Sequence, residues 1–195
     1  MKLAHRNLAT EAEYLDRERQ SIAKHEYVNG EIVAMAGATM RHNLITTNVI
    51  GALRNLLAGR PCLVLGSDQR VNVQATRMYT YPDVSVLCGK PAPHPQDSST
   101  LLNPQLIVEV LSDSTEAYDR GAKFAHYQTV DSLAEYMLVS QGQPRVEHYR
   151  RMDSGQWLLT VTQERGAITL PALGVDLSLD EVYLNIELLP PAESS

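Results

Sequence analysis

In mid-chain the sequence reads Tyr81-Pro82-Asp83-Val84-Ser85-Val86-Leu87-Cys88 and, after a polar segment, Gln105-Leu106-Ile107-Val108-Glu109-Val110-Leu111-Ser112. Both runs are short, rich in β-branched residues and bounded by Pro or polar residues, which predicts two buried strands. Each run carries one acid, Asp83 or Glu109. An ionised carboxylate in a buried strand is costly unless a cation, a metal ion or hydrogen bonds compensate it. The acids are therefore either structural groups, in a turn and an ion pair, or carboxylates that bind a metal on neighbouring strands.

A helix is predicted to follow these strands, from residue 113 to about residue 129. Within it Asp119, Lys123 and Tyr127 are spaced four residues apart and lie on one helical face. Lys123 could supply a positive charge to a phosphate or position an attacking water. The simpler interpretation is a solvated helix lysine paired with Asp119. Asp119 is expected to orient Lys123, and Tyr127 to pack in the core.

Composition indicates one globular domain over residues 1–195, with residues 190–195 as a frayed tail. The chain has 195 residues, of which 44% are hydrophobic and 21% charged, enough for a sizeable core. No apolar run reaches the ~20 residues of a membrane span, and the N-terminus lacks the apolar region of a secretory signal. Cys62 and Cys88 lie in apolar contexts and are expected to be buried free thiols in a reducing compartment. We therefore expect a cytoplasmic protein.

The net charge of −6 is unfavourable for a nucleic-acid partner, because affinity for phosphates normally depends on Lys and Arg. The distribution weakens this objection. Basic residues outnumber acidic ones in residues 1–60, and the acidity is concentrated in residues 131–195. A neutral or basic face elsewhere on the molecule remains compatible with the sequence.

Local signals predict a mixture of helices and strands, and therefore an α+β fold. Thr10 and Glu13 match a capping box that begins a helix over Glu11–Arg19. Asn29-Gly30 predicts the turn of a hairpin over residues 24–35. Apolar spacing predicts a long helix over Arg41–Leu57. Further strands are expected at residues 62–65, 69–73, 136–139, 145–149, 157–161 and 167–170, with an exposed loop over 89–103 and a short helix over Leu179–Ile186.

The acids suit a magnesium site. Mg²⁺ prefers oxygen ligands and keeps several waters, so one or two carboxylates and a substrate phosphate suffice to hold it. A metal bound by Asp83 and Glu109 could polarise a phosphate oxygen and lower the pKa of a bound water. The sequence contains no Cys/His cluster with zinc spacing, no glycine-rich phosphate loop and no GxSxG elbow. Hydride transfer, P-loop hydrolysis and serine esterase chemistry therefore lose their sequence support.

Several motifs together resemble the Uma2 family of restriction-endonuclease-like proteins, also called DUF820. The matching stretches are Lys24–Gly37, Arg41–Asn43, Tyr81–Asp83, Ile107–Ser112, Ser114–Gly121 and Lys123–Phe124. The resemblance covers about residues 10–160, and the combination is specific although each piece alone is weak. It implies the PD-(D/E)XK nuclease fold, an α+β architecture with a mixed central β-sheet flanked by helices and, here, an N-terminal β-hairpin. It also implies a metal site at one end of the sheet.

One position departs from the nuclease pattern. That pattern has acid-x-Lys on the second strand, whereas Glu109 is followed by Val110 and Leu111. In nucleases of this kind the lysine can come from a neighbouring helix, which the resemblance implies for Lys123. Many such enzymes also take a third acid from an early helix or strand, either Glu26 or Glu31 here; we favour Glu31, because it leads into a buried run.

His42, at the start of the long predicted helix, could contact phosphate or water, or it could be structural.

Taken together, these residues and the resemblance lead us to expect an endonuclease that hydrolyses DNA with Mg²⁺ or Mn²⁺. A homodimer would suit cleavage of both strands of a duplex, since two sites related by a two-fold axis match the symmetry of the duplex. Two alternatives stay open: a nuclease fold that binds or assembles without cutting, and a metal-dependent hydrolase of small phosphodiesters.

Overall fold

The structure is a computed structural model and describes residues 8–190. Its strands, in chain order, are β1 (His25–Val28), β2 (Glu31–Ala34), β3 (Cys62–Gly66), β4 (Arg70–Val73), β5 (Met78–Thr80), β6 (Val84–Cys88), β7 (Pro93–His94), β8 (Asp97–Leu101), β9 (Leu106–Val110), β10 (Glu135–Val139), β11 (Arg145–Arg151), β12 (Trp157–Gln163), β13 (Ala167–Leu170) and β14 (Val175–Ser178). Its helices are α1 (Glu11–Gln20), α2 (Met40–Leu56), α3 (Glu116–Tyr118), a π-turn (Asp119–Lys123), α4 (Phe124–Tyr127), α5 (Leu179–Val182) and a 3-10 turn (Ile186–Leu188).

A six-stranded mixed sheet forms the centre of the molecule, in the order β12-β11-β10-β9-β6-β3. β9 and β10 run parallel, and the other neighbours are antiparallel. The parallel pair requires a crossover, which the α3–α4 segment supplies. β6 and β9, the two strands predicted from the mid-chain sequence, lie side by side with Val84 opposite Val108. This arrangement confirms the expected α+β fold with a mixed central sheet.

A second six-stranded sheet, in the order β2-β1-β5-β4-β8-β7, was not expected from the sequence. The predicted hairpin β1–β2 forms one edge of it, so the hairpin is part of a larger layer. The predicted exposed loop over residues 89–103 was wrong in part, because it contains β7 and β8. β8 pairs in parallel with β4, and such pairing between distant segments leaves no local pattern in a short polar run.

Each face of the central sheet is covered. α2, the β13–β14 hairpin and α5 pack on one face, around apolar residues of β6, β9 and β10. The other face packs against α4 and against residues of β4 and β5 from the second sheet. α1 covers the far side of the second sheet through Tyr14 and Leu15. The α3–α4 segment is thus held between the two sheets, where its polar residues need buried partners.

Several local predictions are confirmed. Thr10 and Glu13 form the capping box that begins α1. Asn29 and Gly30 both have positive φ, 52° and 87°, as the two-residue hairpin turn requires. The long helix predicted over Arg41–Leu57 is α2. These elements depend on residues close in sequence, which is why the sequence predicts them well.

Two helix predictions need correction. The helix expected from residue 113 begins at Glu116, and its middle is a π-turn rather than regular α-helix. Ser112 does not cap it by its side chain, since the hydroxyl contacts Ser114 and Thr115 instead. The helix expected over Leu179–Ile186 ends as α5 at Val182, and a separate 3-10 turn begins at Ile186. Asn185, which precedes that turn, has a left-handed φ of 62°.

The prediction of free thiols was wrong. Cys62 on β3 and Cys88 on β6 are directly opposite each other in the antiparallel ladder, with Cα atoms 3.9 Å apart, and their sulfurs form a disulfide. Both side chains are half-buried. The two cysteines therefore no longer support the prediction of a reducing compartment.

Within residues 8–190, no helix is both long and apolar enough to cross a membrane. Of the tail predicted to fray, only Pro190 belongs to the described residues.

Candidate active site

Lys123 lies at the centre of a buried cluster of carboxylates. Its Nζ atom is 2.9 Å from Oε1 of Glu109, 3.3 Å from Oε1 of Glu26 and 3.4 Å from Oδ1 of Asp119. Lys123 is 6% exposed and Glu109 4%. The three acids come from β9, from β1 and from the π-turn, so the cluster joins both sheets to the helix between them. The simple interpretation of Lys123 as a solvated surface lysine is excluded.

The π-turn and the contacts around it place Lys123 in this position. A π-turn adds one residue to a helical turn and is frequently found at functional sites. The carbonyl of Asp119 accepts a hydrogen bond from the hydroxyl of Tyr136 on β10, at 3.0 Å. Phe124, next to Lys123, stacks on the same Tyr136 ring with centroids 4.9 Å apart. β10 therefore fixes the helix on both sides of Lys123.

Tyr127 contributes directly to the site, beyond the packing role expected for it. Its hydroxyl donates a hydrogen bond of 2.8 Å to Oε1 of Glu109. Asp119, Lys123 and Tyr127 therefore do share one helical face, as their spacing predicted. That face is turned towards Glu109. In the sequence, Tyr127 could have been identified as a site residue because it can donate a hydrogen bond and lies four residues after Lys123.

Asp83 stands beside Glu109 at the same end of the sheet. It immediately precedes β6, one residue beyond the ladder pair Val84–Val108. Its Oδ2 atom accepts a hydrogen bond of 2.7 Å from the backbone N–H of Val110. The carboxylate of Asp83 is therefore fixed next to the strand that carries Glu109, and the sequence expectation of two acids on neighbouring strands is met in space.

His42 joins the cluster through Asp83. Its Nε2 atom lies 3.0 Å from Oδ2 of Asp83. Thr39 caps the start of α2 by accepting a hydrogen bond from the backbone N–H of His42, which holds the histidine at the first turn. Its Nδ1 atom is buried and has no hydrogen-bond partner in the described structure. One nitrogen of the imidazole therefore contacts Asp83, and the other makes no hydrogen bond with a described residue.

Of the two hairpin acids, the structure brings Glu26 to the cluster. Glu26 lies on β1, next to β5. Its carboxylate accepts a hydrogen bond from the hydroxyl of Thr80 and forms an ion pair with Lys123. Glu31, which the sequence favoured, is exposed on the edge strand β2. Both acids are on the same face of the hairpin, because Glu26 pairs with Val33 and Glu31 with Val28. The strand order, which places β1 beside β5, separates them.

Burial controls the electrostatics of the cluster. Burial raises the pKa of Glu109; Lys123 opposes this shift, and the charges of Asp119 and Asp83 add to it. Burial likewise raises the pKa of Asp119. Burial alone would lower the pKa of Lys123, but Glu109, Glu26 and Asp119 outweigh it and hold that pKa well above its ordinary value. The lysine stays charged among more carboxylates than it can neutralise.

The donor set of Asp83 and Glu109 suits a hard divalent cation. Within residues 8–190, the contacts of Glu109 with other residues all involve Oε1 and those of Asp83 all involve Oδ2. Each acid therefore keeps one oxygen for another ligand. No three His, Cys, Asp or Glu side chains of this range converge into a preformed metal cage. Two carboxylates with water and a substrate phosphate are nevertheless a typical magnesium environment, so the residues fit Mg²⁺ or Mn²⁺.

A known crystal structure has the same fold as this chain. A crystal structure described as "a putative nuclease belonging to DUF820", from Anabaena variabilis ATCC 29413, superposes with a TM-score of 0.71 over 89% of this chain and 97% of that one, at 17% identity. At this identity the likeness concerns the fold alone. This chain therefore shares its architecture with that protein.

Sequence comparison finds relatives at higher identity. Two proteins from Synechocystis sp. (strain ATCC 27184 / PCC 6803 / Kazusa) are similar along most of their length. "Uncharacterized protein sll1609" is 39% identical over 160 residues, which cover 82% of this chain and 90% of that protein. "Uncharacterized protein slr1290" is 38% identical over 172 residues, covering 88% and 89%. The profile of the Uma2 family, described as "Putative restriction endonuclease", matches residues 11–185. The chain belongs to the Uma2 family.

Proposed function

We propose that this protein is a metal-dependent endonuclease that hydrolyses phosphodiester bonds of DNA. The observation that carries the proposal is the convergence of Lys123 on Glu109, with Asp83 fixed beside Glu109 at the same end of the sheet. These are the two acids and the lysine that the nuclease pattern requires, although the lysine comes from a helix. Membership of the Uma2 family supports the same reaction class.

Asp83 and Glu109 would hold the cation through the oxygens that make no contact with described residues. A bound Mg²⁺ or Mn²⁺ would supply Lewis acidity at the phosphate and a more acidic water. The hydrogen bond from Val110 to Asp83 and the one from Tyr127 to Glu109 fix the two carboxylates before substrate arrives. Such prior orientation is what a catalytic site gains from rigid strands.

Lys123 would assist at the phosphate or at the attacking water. Its ammonium has three protons, and three carboxylate oxygens lie within 3.4 Å of it. To reach water or phosphate the ammonium must give up one of these contacts, and those with Glu26 and Asp119 are the longer two. Glu26 and Asp119 would then hold the lysine in a charged, poised state, and His42 would orient Asp83.

A second candidate function is a binding or assembly module with a nuclease fold that does not cut. The closed ion cluster around Lys123 favours it, because every contact the ammonium makes is already to a carboxylate. The net charge of −6 also favours a partner other than nucleic acid. A hydrolase of small phosphodiesters would use the same residues and differs only in its substrate.

Cleavage of supercoiled plasmid tests the proposal. The purified protein is incubated with Mg²⁺, Mn²⁺ or EDTA, beside Asp83→Asn and the matched control Asp153→Asn, whose acid is exposed in the β11–β12 turn. We expect metal-dependent nicking by the wild type and by Asp153→Asn, and its loss in Asp83→Asn. Absence of cleavage by the folded wild type with either metal would contradict the proposal. If a small phosphodiester inhibits plasmid cleavage and unrelated DNA does not, the protein is a hydrolase of small phosphodiesters.

A further inference from the structure

β12 is an edge strand of the central sheet, and five of its seven residues are exposed. Within the described residues it pairs with β11 on one side only. Leu158 is 46% exposed, Leu159 45% and Val161 40%. Leu159 and Val161 share one face of the strand, and Leu158 is on the other. Apolar side chains therefore project from both faces of an open sheet edge.

This edge lacks the features by which proteins usually prevent strands from pairing between molecules. Such features are charged residues, proline and bulges on the edge strand. The seven residues Trp157–Gln163 contain no charge and no proline. Their register with β11 is continuous from the Trp157–Arg151 pair to the Gln163–Arg145 pair, without a bulge. The strand is a regular template for another β-strand.

The backbone of β12 also presents free hydrogen-bonding groups. At one end the N–H of Met152 donates to the carbonyl of Gln156, and at the other the N–H of Glu164 donates to the carbonyl of Pro144. In an antiparallel pair, residues bonded to the neighbour alternate with residues that face away. The even-numbered residues from 156 to 164 therefore bond towards β11, and the odd-numbered residues face outwards. The N–H and C=O groups of residues 157, 159 and 161 and the N–H of Gln163 are available there, whereas the carbonyl of Gln163 already accepts a hydrogen bond of 2.7 Å from the N–H of Arg165.

We propose that β12 is the dimerisation surface of this protein, and that its partner is β12 of a second copy. The two strands pair antiparallel about a two-fold axis through Thr160. In this register all seven residues overlap. Residues 159 and 161 exchange both of their backbone hydrogen bonds, and at each end the N–H of Gln163 donates to the carbonyl of Trp157. The two central sheets then form one continuous sheet.

The strand is complementary to itself. The register places Leu159 of one copy opposite Val161 of the other, twice, on the same sheet face, and sets the two Thr160 residues side by side. Cross-strand apolar pairs and Thr–Thr pairs both stabilise a sheet. An uncharged strand offers nothing to attract a charged partner, and β12 of a second copy is itself uncharged. The contact therefore adds no local repulsion between two chains of net charge −6. No residue of β12 belongs to the proposed active site, so dimerisation does not depend on cleavage.

The contact is limited in area. Seven paired residues span roughly 24 Å of strand, which places the interface at the small end of stable protein contacts. We therefore expect a dissociation constant on the order of micromolar.

Disulfide cross-linking tests the register. The chain has two cysteines, and both are in the Cys62–Cys88 disulfide, so a cysteine introduced on β12 is the only thiol. Thr160→Cys should cross-link to a dimer under mild oxidation, because Cα atoms of such non-bonded pairs lie about 4.5 Å apart. Thr162→Cys is the matched control, since residue 162 faces Leu158 of the other copy. Equal cross-linking of both variants, or none in Thr160→Cys, would overturn the register.

Sedimentation velocity over a range of protein concentrations tests the surface. We expect the wild type to shift towards twice the monomer mass as its concentration rises through the micromolar range. Val161→Lys should remain monomeric, because it places two lysines across the new contact. Leu63→Lys, on the opposite edge strand β3 where Leu63 is 43% exposed, should dimerise as the wild type does. A monomeric wild type, or a dimer lost only in Leu63→Lys, would refute the proposal.

Discussion

Nζ of Lys123 lies 2.9 Å from Oε1 of Glu109, and both side chains are buried between the two sheets. Glu109 is on a strand and Lys123 on a π-turn, and the two residues are 14 positions apart in sequence. Their contact therefore cannot be recognised from the position of either residue alone. Tyr127 and Asp119 complete the surroundings of this contact from the same helix. The protein thereby places a lysine beside the acid of a strand that carries no lysine of its own.

Removing the lysine charge should destabilise the fold at neutral pH. Lys123→Met leaves three buried or half-buried carboxylates without their common cation, and breaking a buried ion pair costs about 3–5 kcal/mol. Burial already raises the pKa of Glu109, and the loss of Lys123 raises it further. A carboxyl whose folded pKa is raised contributes stability that is present at low pH and lost as pH rises. The destabilisation should therefore shrink when the pH is lowered towards 5.

Urea unfolding at pH 7 and pH 5 measures this effect. Lys90→Met, at an exposed lysine, is the control and should change the free energy of unfolding by less than about 0.5 kcal/mol. Equal loss of stability in the two variants, or a loss at pH 5 as large as at pH 7, would contradict the buried cluster.

Glu26 and Glu31 should differ in activity. Glu26→Gln removes a carboxylate that holds Lys123, and we expect cleavage to fall about 10- to 100-fold, as for other groups that orient catalytic ligands. Glu31→Gln changes an exposed acid on the edge strand and should leave cleavage unchanged. Initial nicking rates at saturating Mg²⁺ measure both. A larger effect at Glu31 would restore the preference drawn from the sequence.

His42 should act through metal affinity. His42→Ala removes the contact between Nε2 and Oδ2 of Asp83, which orients a proposed metal ligand, so the Mg²⁺ concentration for half-maximal cleavage should rise about 10- to 100-fold. The rate should recover at high Mg²⁺. Calorimetric titration with Mn²⁺ gives a readout independent of cleavage. A lower rate with unchanged metal affinity would instead assign His42 to the substrate.

The disulfide should stabilise the fold. It joins residues separated by 26 positions, and closing a loop of this length in the unfolded chain is worth about 3–4 kcal/mol in the loop-entropy model. The free energy of guanidinium unfolding should fall by this amount when reductant is added. The double variant Cys62→Ser/Cys88→Ser should show no response to reductant. A wild type equally stable with and without reductant, with two thiols titratable after denaturation, would exclude the bond.

Much of the fold follows from local sequence. The capping box of Thr10 and Glu13, the Asn29-Gly30 turn and the apolar stripe of α2 act between residues a few positions apart, and the structure contains all three. β5, β7, β8 and β14 did not follow from the sequence. They are short, and pairing with neighbouring strands, several of them distant in sequence, stabilises them more than their own residues do.

For the site, local sequence patterns were enough to predict that two strands each carry an acid and that Asp119, Lys123 and Tyr127 share a helical face. It could do so because strand and helix periods are set by the local backbone. The contact of Lys123 with Glu26 rather than with Glu31 depends on β1 lying beside β5, which is a property of the folded chain. The same holds for Cys62 and Cys88, which the register of β3 and β6 brings together. Strand order and register are set by packing of the whole chain, and no local pattern contains them.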